Sequence, residues 1–315
     1  MGTNNQSIML ALQLRNNMQN LDEINEIINY QKIAKSLNPN PGEIPVVTGL
    51  DIYGETIPLH GDVCGDHIIY MDFAKRFNLD ERIKRADLTD QFEISHKLKL
   101  LKNKSGILLS DVSGHSITDS LLNAMLHQAF LVGASYELST YGEITIDLFE
   151  TINQRFYQSS SIDKYITMIY GEIQNDGNFR FISAGHPLPL TFSNEFNKIV
   201  NIDYLNLINF PPIGTLPSET DIDGNITNSV LGFKQRYAVN TLNVMGHGDI
   251  LILFTDGFTD LQSGELNYTV DRLEKQLILS KHLSAKEIFI SIREDFNRYC
   301  GTPDDDATII LIKKI

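Results

Sequence analysis

The sequence predicts an α+β fold for its 315 residues, and three observations carry that class. Runs rich in Ile, Leu, Val and Phe bounded by turn residues read as strands, while charged or amphipathic stretches of helical period fall between groups of them. The order is strands, a helix pair, many strands, a helix pair and one last strand, whereas a doubly wound fold would alternate strand and helix regularly. Four of the apolar runs also meet acidic turns: Gly65-Asp66 before Ile68, Asp111 after Gly106 to Ser110, Thr255-Asp256-Gly257 after Ile250 to Phe254, and Asp304 to Asp306 before Thr308. Carboxylates held at strand ends suit a ligand better than a core, so a shared site is expected there.

Residues from Ser7 to Leu37 read as a helix in which Leu14, Met18, Leu21, Asn25 and Ile28 follow a 4-3-4-3 spacing along one seam. The seam fits a dimerising coiled coil and an amphipathic helix packed on its own domain equally well. Pro39, Pro41 and Pro45 end the helix. Residues 1–42 are therefore expected to be a helical linker open to homodimer formation, and residues 43–315 the main domain. Val46 to Ile57 and His67 to Phe73 alternate enough to be strands. Residues 74–105 form a basic helical insertion with nine Lys and Arg against five Asp and Glu. A solvated helical face is the expectation for it, ahead of a docking surface for an acidic partner.

Ser116-Ile-Thr-Asp119 has the pattern of a capping box and opens a helix running to Tyr136. Leu121, Leu122, Met125, Leu126, Ala129, Phe130 and Val132 give that helix a broad apolar face expected to pack in the core. Another helix follows from Ile144 to Tyr157, with Ser159 to Ser161 as a break. Asn175-Asp-Gly177 between Tyr165–Ile173 and Asn178–Ser183 signals a hairpin, because these residues tolerate positive φ. Strands are expected near Leu188 to Phe192 and Gly232 to Val244, with Phe210-Pro-Pro-Ile-Gly214 covering a sheet edge. Ile250 to Phe254 reads as a buried strand. Helices from Asp271 to Leu283 and from Ser284 onward, the latter with a capping box at Ser284 and Glu287, precede the final strand.

A 42% hydrophobic and 21% charged composition is that of a soluble globular chain. The longest aliphatic run falls far short of the roughly 20 residues of a membrane helix, so no membrane span is expected. The start lacks the basic segment and apolar core of a secretory signal, and two cysteines suit a reducing compartment, which points to the cytoplasm. A net charge of −14 argues against nucleic acid or anionic lipid as a partner. A phosphate-bearing substrate would then need bound cations to invert the sign of its site. Oxygen-rich clusters select Mg²⁺ or Mn²⁺ and disfavour zinc.

Gly65-Asp66, Asp111-Val-Ser-Gly-His115, Ser183-Ala-Gly-His-Pro187, Thr255-Asp-Gly-Phe-Thr-Asp260 and Asp305-Asp-Ala-Thr308 resemble, in this order, the PPM metal-dependent protein serine/threonine phosphatases. The branch they resemble is the bacterial SpoIIE/RsbU-like one, from Glu43 to the C-terminus. The resemblance implies a four-layer α-β-β-α sandwich with two Mn²⁺ or Mg²⁺ ions at one end of the sheets. It also implies hydrolysis of phosphoserine or phosphothreonine on a regulatory protein by metal-activated water. Carried over, Asp66 is the first acidic ligand, Asp111 the bridging carboxylate, Val112 a backbone-carbonyl ligand, Asp256 and Asp305 the later ligands, and Asp260 the outer acid. Asp62 competes with Asp66, while Asp304 and Asp306 flank Asp305.

The chain departs from the family pattern at Cys64 and Ser116, each in place of a glycine, and in the length of the basic insertion. Asp111, Asp256 and His115 are the candidate catalytic residues, with a positioning role for His115 ranked ahead of proton donation. His186 reads as a turn-stabilising residue. The alternative is a non-catalytic phosphoprotein-binding module of the same fold. An aspartyl-phosphate mechanism at Asp256 ranks low because Phe258 occupies the place of the second carboxylate it needs. The N-terminal helix is also expected to press on the helix that starts beside Asp111.

Overall fold

Apolar and β-branched runs become strands in the computed structural model. It describes residues 24–33, 35–58, 64–114, 117–159, 164–200, 202, 206–220, 229–243, 245–258, 262–263, 266–268, 272–300 and 305–315. In chain order the strands are β1 (Leu50–Ile57), β2 (Asp66–Asp72), β3 (Lys104–Val112), β4 (Ile166–Gln174), β5 (Phe179–Ala184), β6 (Leu190–Ser193), β7 (Lys198–Val200), β8 (Asn240–Leu242), β9 (Ile250–Phe254), β10 (Gln262–Ser263), β11 (Leu266–Asn267) and β12 (Ala307–Lys314). The helices are α1 (residues 24–33), α2 (Phe73–Arg76), α3 (Leu79–Leu88), α4 (Phe92–Leu101), α5 (Ile117–Thr140), α6 (Ile146–Ser159), α7 (Glu274–Ser280) and α8 (Ala285–Cys300). Among the described residues one sheet has the order β1-β12-β9-β6-β7 and a second the order β2-β3-β4-β5-β8, with antiparallel pairing throughout.

Alternation along the strands builds the layers. Ile68, Leu109 and Leu251 face the core between the sheets. Their neighbours Ile69 and Leu108 face a second core under α3 to α6, and Ile252 faces a third under α7 and α8. The result is the expected α-β-β-α sandwich. Every residue of β2 and of β9 is buried, which explains why β9 reads as a continuous apolar run, while β2 takes the polar Asp66, His67 and Asp72 inside as well.

Local signals explain most boundaries. Gly177 takes φ +91 in the β4–β5 hairpin. Ser284 and Glu287 form the capping box of α8, with the Ser284 amide donating to Glu287 Oε2 at 2.9 Å and the Glu287 amide to Ser284 Oγ at 3.3 Å. The insertion forms α2 to α4, tucks Leu79, Ile83, Leu98 and Leu101 inward and pairs most of its charges locally.

Two expectations change. The stretch 232–244 contributes only β8, because Lys234 is buried against α6, where its Nζ lies 2.9 Å from Glu150 Oε2. The Tyr237 amide donates to the same carboxylate at 2.6 Å, so this backbone turns toward a helix and away from the sheet ladder. Phe210 and Ile213 cover an edge as expected, bonding to the ends of β5 and β4 beyond the reach of β8 and β5, Phe210 N to Ser183 O at 3.0 Å and Ile213 N to Ile166 O at 2.8 Å. On α5, Leu126 and Phe130 are in the core while Leu121, Met125 and Val132 are exposed, since the apolar positions span a wider arc than one sheet can cover.

Of the N-terminal seam, Leu14, Met18 and Leu21 lie outside the described residues. Ile24, Ile27 and Ile28 of α1 are exposed, and the Tyr30 hydroxyl lies 2.8 Å from Ser120 Oγ at the start of α5. Among the described residues no helix is long and apolar enough to cross a membrane.

Candidate metal centre

The acidic turns converge where the two sheets end together. Asp66 opens β2 and Asp111 lies near the end of β3, directly opposite it in the antiparallel register. Asp256 follows β9 and Asp305 precedes β12, which are neighbours in the other sheet. A buried bridge joins the two halves: Asp66 Oδ2 accepts the Thr255 hydroxyl at 2.7 Å and the Thr308 hydroxyl at 2.6 Å. Those hydroxyls are aimed in turn, because Thr255 Oγ1 accepts the Thr308 amide at 2.8 Å and Thr308 Oγ1 lies 2.8 Å from Thr56 Oγ1.

Gly65 is fixed from three sides. Its amide donates to Asp306 Oδ2 at 2.7 Å, and its carbonyl accepts the Val112 amide at 3.1 Å and Asn123 Nδ2 at 2.6 Å. A Cβ at Gly65 would lie 2.7 Å from the Gly114 carbonyl oxygen, 3.3 Å from the Val112 carbonyl oxygen and 3.7 Å from Asp111 Oδ1. Three oxygens therefore crowd the bare side of this glycine, including the Val112 carbonyl singled out in the sequence. The loop after Val112 is tied down by Lys164, whose Nζ donates to the Ser113 carbonyl at 2.7 Å and sits 2.7 Å from Asp119.

The electrostatics follow from this clustering. Burial, then the charge of Asp111, raises the Asp66 carboxyl well above the carboxylate range even though two hydroxyls favour its ionised form. Burial, followed by the charges of Asp256, Asp305 and Asp306 and a hydrogen bond with Asp256, pushes Asp111 up to about 8. Asp306 is 2% exposed, and Asp305 Oδ1 accepts its amide at 2.7 Å, so consecutive acids divide the work of facing the cluster and bracing Gly65.

Among the described residues, no three His, Cys, Asp or Glu side chains already close around one point as a finished metal site. The donor set nevertheless fits a hard cation, since it consists of carboxylate and backbone oxygens whose mutual repulsion a positive ion would relieve. His115, Asp62, Asp260, Asp304 and Ser116 lie outside the described residues. His186 is buried, with its carbonyl accepting from Ser183 Oγ and Asn209 Nδ2 at 3.0 Å each, and so holds a turn.

The sequence suggests no role for Thr255, Thr308, Asn123 or Lys164, and it offers Asp306 only as a neighbour that could stand in for Asp305. For the two threonines a signal existed, a hydroxyl bordering an otherwise apolar buried run.

The family profile described as Stage II sporulation protein E matches residues 102–314. No curated protein sequence matches the chain. Among solved structures, the RsbU and RsbW domains of a Mycobacterium tuberculosis protein align with a TM-score of 0.58 at 19% identity, covering 86% of this chain and 61% of theirs. The PP2C phosphatase domain of Bacillus subtilis SpoIIE with a fragment of its regulatory domain aligns at 0.56 and 16% identity, covering 85% of this chain and 64% of that one. This chain thus spans less than two thirds of either structure. The SiaA PP2C domain of Pseudomonas aeruginosa aligns at 0.59 and 14% identity, covering 94% and 98% of the two chains. At these identities the structures share the fold.

Proposed function

The chain belongs to the SpoIIE family of PP2C-type phosphatase domains, and from that premise we propose that it is a metal-dependent phosphoprotein phosphatase hydrolysing phosphoserine or phosphothreonine on a regulatory protein. The observation that carries the reading is the gathering of Asp66, Asp111, Asp256 and Asp305 from two sheets at one end of the sandwich, with the Val112 carbonyl beside them. In this reading Asp66, Asp111, Asp256 and Asp305, with the Val112 carbonyl, would hold two ions, Mn²⁺ or Mg²⁺. Bound cations supply the positive charge that draws in a phosphate ester and the acidity that activates water for in-line attack.

The rest of the work falls to the chain. Thr255 and Thr308 hold Asp66 Oδ2 and so fix the orientation of its carboxyl group. Asp306 and Asn123 keep Gly65 close to the Asp111 loop, where any side chain would block the approach of the oxygens. Lys164 holds the loop that leads to His115, for which we assign a positioning role. Residues 43–315 form the phosphatase domain and 1–42 a linker able to dimerise, and the protein works in the cytoplasm.

The experiment is a Mn²⁺-dependent dephosphorylation assay on phosphoserine proteins with Asp111→Asn and Asp256→Asn beside the wild type. Loss of hydrolysis in both variants is expected. Full activity retained in both overturns the reading, and stoichiometric phosphoprotein binding without turnover at saturating Mn²⁺ replaces it with a non-catalytic binding module.

A further inference from the structure

The basic insertion builds a concave feature that contains no residue of the acidic cluster. Its charges are settled in local pairs, with Lys97 3.0 Å from Glu93, Lys99 3.6 Å from Asp87 and Lys102 2.6 Å from Asp80. Among the described residues of the insertion, only Lys84 and Arg82 lack a carboxylate partner. Lys84 is exposed to solvent, but Arg82 lines a cavity of about 660 Å³ between α3, α4 and the C-terminal half of α5. That volume lies within the roughly 300–1,000 Å³ of small-molecule sites.

Arg82 is held in place by neutral groups. Its Nη1 donates to the Ser135 carbonyl at 3.5 Å and to the Ser139 hydroxyl, its Nη2 to the Ser135 hydroxyl at 3.4 Å, and it lies 5.3 Å from the centroid of the Phe77 ring. Arg85 and Arg76 also line the cavity but already have partners, Glu81 at 3.1 Å and Glu43 at 3.7 Å. Burial and the like charge of Arg85 push the Arg82 guanidinium below its ordinary range. A fixed, planar guanidinium without a counter-charge is suited to a carboxylate or phosphate. Beside it, the buried Leu98 and Leu138 and the ring of Phe77 make an apolar wall.

We propose that this cavity binds a small molecule carrying a carboxylate or phosphate headgroup on an apolar body, with the headgroup on Arg82 and the body against Phe77, Leu98 and Leu138. The concavity favours such a molecule over an extended acidic peptide, for which a flat or grooved basic surface would serve. Because Arg82 belongs to α3 and its anchors to α5, the occupant would touch both helices. No residue of the cavity belongs to the acidic cluster, so binding here and phosphatase activity are separate measurements.

The test is an amide chemical-shift titration of the full chain in EDTA, which prevents hydrolysis, with naphthylacetate, naphthyl phosphate, neutral naphthylacetamide and inorganic phosphate. Saturable binding of one or both naphthyl anions, with shifts concentrated in α3, α4 and residues 135–139, is expected. The preferred anion identifies the headgroup. The amide, or the Arg82→Gln variant with the anion, should bind about tenfold more weakly or worse. Arg85→Gln, on an exposed side chain, serves as a second variant and should weaken binding less than Arg82→Gln if both fold. The proposal is overturned if neither naphthyl anion saturates, if inorganic phosphate binds as tightly as they do, or if an oligoglutamate peptide binds these residues more tightly. Unchanged affinity in a folded Arg82→Gln variant overturns it as well.

Discussion

Asp66 stands directly opposite Asp111 across the β2–β3 ladder, so two carboxylates face each other on adjacent strands, and the charges of Asp256, Asp305 and Asp306 also bear on Asp111. Such an arrangement costs stability in the absence of a cation. Asp111→Asn should therefore do two opposite things at neutral pH. It should stabilise the metal-free protein by about 1–3 kcal/mol, read as a higher melting temperature in EDTA. It should also reduce Mn²⁺-dependent hydrolysis by about a hundredfold or more. A metal-free variant less stable than the wild type would show that Asp111 is not strained by its neighbours.

The hydroxyls on Asp66 offer a subtler handle. Thr255→Val and Thr308→Val each keep the shape of a buried side chain and remove one donor to Asp66 Oδ2. Each should weaken Mn²⁺ binding about 10–100-fold while leaving activity at saturating metal much closer to wild type. Thr255→Val also strips an acceptor from the Thr308 amide and should cost about 1–3 kcal/mol. Isothermal titration with Mn²⁺ and denaturant unfolding separate the two effects. Unchanged metal affinity in both variants would remove the positioning role.

How much of this was legible depended on whether the physics was local. Asp66, Asp111, Asp256 and Asp305 could be found because each sits beside an apolar strand, and the hairpin at Gly177 and the box at Ser284 and Glu287 are closed within a few residues. The bond from Thr308 to Asp66 joins residues 242 apart, and nothing near either one announces the other. Lys234 defeated the strand expected there for the same reason, since its partner Glu150 is 84 residues away. The exposed Leu121, Met125 and Val132 show a different limit: a helix's apolar arc is visible in sequence, but the width of the surface waiting for it is not.

Gly257 is the tightest backbone approach in the acidic cluster. A Cβ there would overlap the Asp306 carbonyl oxygen, a backbone atom that cannot swing away as a side chain could. Gly257→Ala must therefore push the turn carrying Asp256 away from Asp306, which immediately precedes β12, at a cost of about 1–3 kcal/mol. Activity should fall more than stability suggests, because displacing one carboxylate by a fraction of an ångström spoils a shared site. A crystal structure or a Mn²⁺ titration of the variant checks this, and wild-type metal affinity would contradict it.

Stability should depend on pH in a way that reverses with metal. His67 and His186 are buried and held down to about 3, His67 by burial and then by His127, and His186 by burial. The folded chain therefore refuses protons that the unfolded chain accepts, and this contribution is complete above pH 6.5 and lost as pH falls. Asp66 and Asp111 act with the opposite sign. Their raised values make the metal-free folded chain keep protons that the unfolded chain has released, so stability is lost as pH rises from 3.8 toward about 8. Between 3.8 and 6.5 the two pairs offset each other, and above 6.5 only the carboxylate loss remains. Each unmatched proton changes stability by about 1.4 kcal/mol per pH unit. Metal-free protein should accordingly lose stability between pH 6.5 and about 8, whereas Mn²⁺-loaded protein, with both carboxylates kept ionised, should gain stability up to pH 6.5 and then hold it. Urea unfolding across that range, with EDTA and with Mn²⁺, reads both curves. Metal-free stability that is flat or rising above pH 6.5 would mean the carboxylates are ionised without a cation.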